Sequence, residues 1–110
     1  MSREFSHMDK QIFDKLAPEA GGSTMSKMGH SYPFILRPIS HKIAQSAEDF
    51  RERLERLDPA ELDYLVGLAM EEKEDIRSLE EEDVDSFMEI VRKKLSVERE
   101  KELKAKLGFA

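Results

Sequence analysis

The chain is 110 residues long, 39% hydrophobic and 38% charged, with no cysteine, no tryptophan and a net charge of −6. That length suits a single domain whose modest core must come from well-placed Leu, Ile, Val, Met and Phe. The composition excludes disulfides, thiolate metal sites and cysteine nucleophiles, and the acidic balance speaks against general phosphate-backbone binding.

The first element, "HMDKQIFDKLA", places Met8, Ile12, Phe13 and Leu16 at helical spacing, and Pro18 closes it. Residues 17–33 read as loop, rich in Gly, Ser and Met. Within them "GGSTMSKMG" has the ingredients of a phosphate loop, with Ser23, Thr24 and Lys27. The order of glycine, lysine and hydroxyl residue is wrong, however, and no strand precedes it. A flexible loop is the better reading. "YPFILRPI", residues 32–39, is apolar and bracketed by Pro33 and Pro38, which favours extended backbone before each proline. It is too isolated to form a sheet. An extended strap that lies across the helices, or waits for a partner to cover it, is expected there. "SHKIAQ" leads on towards the next helix.

Helix signals repeat from Ser46 onward. Ser46 is a candidate cap with Asp49 three residues on, and Phe50, Leu54 and Leu57 share one stripe. Asp58, Pro59 and Glu61 form the clearest start: a cap, a proline at the first helical position and a capping-box acid. The helix that follows is expected to run towards Ile76. It is apolar over more than half of its first turns, which suggests the central position. Gly67 inside it costs about 1 kcal/mol against Ala, and a close helix crossing would explain it. Ser78 with Glu81 repeats the box spacing and should open a third helix, with Val84, Phe87, Met88, Val91 and Leu95 on its buried stripe and Ile90 flanking. Acids crowd its first turn and Arg92, Lys93 and Lys94 its last, in keeping with the helix dipole. Ser96 either caps a final helix carrying Val97, Leu103 and Leu107 or lies within a continuous one. Gly108 is a plausible stop.

Charge is unevenly spread. Residues 1–45 carry six Lys/Arg against four Asp/Glu, and residues 46–110 carry twelve against twenty. Asparagine is absent and there are two glutamines, a pattern that leans towards a thermophile. Residues 71–85 hold nine acids and two bases. They lack the glycine and the spacing of a calcium loop, so solvated helix faces are the plain reading and an acidic docking patch the functional one. Residues 92–106 hold seven bases and three acids. Glu98–Glu102 at i, i+4 is repulsive there, whereas Glu100–Lys104 and Glu102–Lys106 are favourable. His7, His30 and His41 do not pair at metal-binding helical spacing. No strand–turn–helix elbow frames a serine nucleophile.

The expectation is an all-α protein, a small orthogonal or irregular bundle of three to five helices with an extended, proline-bracketed N-terminal strap. Residues 1–45 would hold the short helix, the loop and the strap, and 46–110 the helical core and charged C-terminal helix of the same domain. No apolar run approaches the ~20 residues of a membrane span and "MSREFSHMDKQ" lacks a signal peptide's apolar stretch, so a cytoplasmic protein without membrane contact is expected. The leading functional reading is a non-enzymatic module for protein–protein interaction or self-association, with no cofactor. Its candidate surface is Tyr32, Phe34, Ile35, Leu36, Arg37 and Ile39, with Arg92, Lys93 and Lys94. One alternative is a nucleic-acid-associated protein using the basic C-terminal helix and the N-terminal third. A second is a small metal- or ligand-binding protein.

Overall fold

The structure, a computed structural model, describes residues 6–18 and 34–109. Residues 19–33, with most of the expected loop, His30 and Tyr32, lie outside the described residues. Every element among the described residues is helical and none is a strand. Seven α-helices occur among the described residues: α1 His7–Leu16, α2 Leu36–Pro38, α3 Ala47–Leu54, α4 Pro59–Glu71, α5 Lys73–Arg77, α6 Glu81–Lys94 and α7 Val97–Leu107. A π-turn, Ile39–Ile43, continues α2.

Caps start most of the longer helices. Ser6 and Asp9 form a capping box before α1: the Ser6 hydroxyl accepts from Asp9 N at 3.2 Å, and the Asp9 carboxylate accepts from Ser6 N at 2.8 Å. Ser46 accepts from Asp49 N and Ser96 from Arg99 N, both at 3.0 Å. Asp58 and Glu61 form the box expected for α4, with Pro59 at its first position. The Ser96 cap makes residues 81–107 two helices, not one.

Four local expectations are corrected. The segment around Leu36 is helical, not extended: α2 passes through Pro38 and the π-turn closes with Ala44 N donating to Ile39 O at 2.7 Å. Pro38 falls in the first turn, where a missing N–H breaks no helical bond. Second, α6 begins at Glu81 with Glu80 as its cap residue, and no side chain caps it. Ser78 instead ends α5, its hydroxyl donating to the Asp75 carbonyl at 3.3 Å. Third, the α4 helix stops at Glu71 and the chain turns at Glu72 (φ −104°, ψ 72°) before α5. That turn carries Ile76 into the core and leaves Asp75 buried. Fourth, Gly67 marks no close crossing, because a Cβ placed there would have no neighbour within 4 Å.

The core joins both ends of the chain. Ile12, Phe13 and Leu16 of α1, Ile35, Leu36 and Ile39, Phe50 and Leu54 of α3, and Leu62, Leu65 and Val66 of α4 are all fully buried, as are Phe87, Ile90 and Val91 of α6 and Leu103 of α7. Helix α6 is the hub, packing on α3, α4 and α7. It takes the central place that the sequence suggests for α4. Its position brings the far ends of α5 and α7 to the same side of the molecule, where Arg77 donates to the Leu107 carbonyl at 3.0 Å.

Candidate functional site

Charged side chains, abundant in the composition, are used here first as caps between elements. The buried Asp75 carboxylate accepts from the backbone N–H groups of Ile35, Leu36 and Arg37 at 3.1, 3.1 and 2.8 Å. It serves as the missing N-cap of α2 from about forty positions away in sequence, which is why the strap turns helical. Burial pushes its carboxyl up to about 6, against the pull of the three donors and of the Arg37 charge. Asp83, also buried, accepts from the Ser40 hydroxyl. Two acids of the 71–85 run are thus turned inward to hold residues 35–40, while Glu80, Glu81, Glu82 and Asp85 stay exposed.

Further acids and bases join α1 to the rest. Tyr64 donates to Asp9 at 2.9 Å. Glu61 accepts from Gln11 at 2.6 Å and Lys15 at 2.7 Å. Burial works to raise the Glu61 carboxyl, but Lys15, the Asp58 N–H and Gln11 together hold it below its ordinary value. Arg53 reaches the Leu16 carbonyl at 2.9 Å.

The residues singled out in the sequence do not come together as one face. Ile35, Leu36 and Ile39 are fully buried, Phe34 is half-buried, and Arg37 is exposed. Tyr32 lies outside the described residues. Lys94 donates to the Glu55 and Leu57 carbonyls at 2.6 and 2.7 Å, closing the α3 end. Lys93 pairs with Glu55 at 3.0 Å, and Arg92 lies 3.9 Å from Glu100. These cations are engaged within the molecule. The ring of His41 contacts the Ser78 carbonyl at 3.0 Å, and His7 is exposed. Among the described residues no group of three His, Asp or Glu side chains is placed to hold a metal ion.

A groove of about 470 Å³ opens on the side where α5, α6 and α7 meet. Helix α6 contributes Glu81, Val84, Asp85 and Met88, one stripe at i, i+3, i+4 and i+7. Arg77 at the end of α5 and the neighbouring Leu79 form a second wall, Lys104 of α7 a third, and Phe109 stands at the edge. Phe109 and Val97 are the exposed large hydrophobic residues among those described, at 42% and 44%. The position of Phe109 is set by the end of α7. Gly108 takes the left-handed conformation (φ 82°) that glycine adopts freely, and Phe109 N donates back to the Lys104 carbonyl at 2.9 Å. Gly108 was legible as a stop; the value of the residue after it was not, because the groove needs three helices to exist.

No family model, curated protein or solved structure matches this chain.

Proposed function

We propose that this protein is a non-enzymatic interaction module that docks a polypeptide on the groove between α5, α6 and α7. The observation that carries this reading is an exposed Phe109, its backbone fixed by the end of α7, at the edge of a groove lined by Val84 and by charged side chains. Aromatic anchors next to apolar pockets supply much of the energy of protein interfaces. Groups that could serve chemistry elsewhere, such as Asp75, Glu61 and Asp9, are committed to capping and bridging bonds. In this reading the five helices of eight or more residues form the bundle, residues 34–43 strap it, and the cysteine-free chain works in the cytoplasm. The nucleic-acid alternative draws less support, since Lys94 bonds the Glu55 and Leu57 carbonyls and Lys93 and Arg92 lie beside Glu55 and Glu100.

The test is a photoreactive benzophenone side chain at position 109 of the full chain, irradiated in cells. The expected result is a covalent adduct to a polypeptide that disappears when Val84→Glu is introduced into the groove floor. Absence of any adduct, or one indifferent to Val84→Glu, contradicts the reading.

A further inference from the structure

We propose that the occupant of this groove is a second copy of the same chain, each copy placing its Phe109 against Val84 of the other across a two-fold axis. The inference rests on the groove being a docking face and goes beyond it by naming what docks.

Charge carries the argument. The acids of the groove, Glu81 and Asp85, both come from α6, whereas its bases, Arg77 and Lys104, come from α5 and α7. In a two-fold interface a patch meets itself. A patch of one sign would repel its copy, but one with an acidic wall and a basic wall presents each wall to its opposite. Glu81 and Asp85 make no ion pair among the described residues, so their charge is available to a partner. The Arg77 guanidinium donates to a neutral carbonyl, and its charge is likewise uncompensated by that bond. Lys104 is shared with Glu100 at 3.3 Å.

Phe109 supplies the apolar part. Gly108 and the bond to Lys104 fix where its backbone stands, so docking orders little that is not ordered already. One aromatic anchor is few for a protein interface, where a handful of such residues carry most of the energy. The pairing is therefore weak and concentration-dependent.

Sedimentation velocity of the full chain, from micromolar to millimolar concentration, tests the proposal. Monomers passing to dimers are expected, with Phe109→Ala weakening the association at least ~tenfold. Glu81→Lys/Asp85→Lys and Arg77→Glu/Lys104→Glu should each abolish homodimers, and an equimolar mixture of the two should restore a dimer. Because Arg77 also holds the Leu107 carbonyl, circular dichroism checks that variant; if it is unfolded, Lys104→Glu alone takes its place in the mixture. A chain that stays monomeric throughout overturns the proposal, as does a dimer that ignores Phe109→Ala and the charge changes. A monomeric chain that still forms the position-109 adduct with another polypeptide refutes the second copy while leaving the docking face standing. No adduct at all refutes both.

Discussion

Asp75 shows how much one buried side chain can decide. Its two oxygens take three N–H groups that would otherwise be orphans at the start of α2. Asp75→Ala leaves all three unpaired and should cost about 2–4 kcal/mol; Asp75→Asn keeps one acceptor oxygen and should cost less. The shift from 3.8 to about 6 means that the folded state holds this proton more tightly than the unfolded chain. The resulting stabilisation is complete below 3.8 and lost as pH rises through about 6. Urea unfolding across that window should show a decline on the order of 3 kcal/mol in the Asp75 contribution, absent in Asp75→Asn. An equal slope in both proteins would remove Asp75 as the cause. At Gly67 the expectation runs the other way. A Cβ meets nothing within 4 Å, so Gly67→Ala should raise stability by about 0.5–1 kcal/mol. A drop in melting temperature would reveal a close approach that the geometry lacks.

Helix starts were readable at Ser46, Asp58 and Ser96, where the cap lies next to the helix; the equally local Ser6–Asp9 box before α1 went unread, and Ser78 was misread. Ser46, Asp58 and Ser96 each bond an N–H three residues on, so local chemistry alone locates α3, α4 and α7. Ser78 carries the same pattern with Glu81, yet it ends α5 and α6 starts without a side-chain cap. Spacing cannot tell a cap from a helix end when both fall in one acidic run. The two serines give a direct comparison by thermal melts: Ser96→Ala should cost about 1 kcal/mol, and Ser78→Ala less than ~0.5 kcal/mol. Equal costs would restore Ser78 as a cap. The strap fails for a related reason. Pro33 and Pro38 argue for extended chain, but the acid that makes residues 36–38 helical lies about forty residues further on. The apolar stripes of α1, α4 and α6 were visible in the sequence; the groove was not, since Val84, Lys104 and Phe109 become neighbours only after folding.

At the scale of the whole molecule, basic side chains close helix ends in other elements. Arg53 takes the Leu16 carbonyl, Lys94 those of Glu55 and Leu57, and Arg77 that of Leu107. The high charge content is thus partly internal wiring, which a count of Lys and Arg cannot distinguish from a ligand-binding surface. Lys94→Met should lower stability by about 1–2 kcal/mol, measured by urea unfolding, because two carbonyls lose their donor. No loss would return Lys94 to the pool of free surface cations. What remains outward at the corner of α5, α6 and α7 is different in kind: an exposed Phe109, a groove lined by Val84 and two walls of opposite sign. The most direct measurement of whether that corner pairs with a second copy is a concentration series of backbone amide NMR spectra on the full chain. Shifts confined to residues 77–88 and 104–109, lost in Phe109→Ala, are the expected result. Spectra that do not change with concentration, or shifts centred on α1 and residues 34–43, would contradict it.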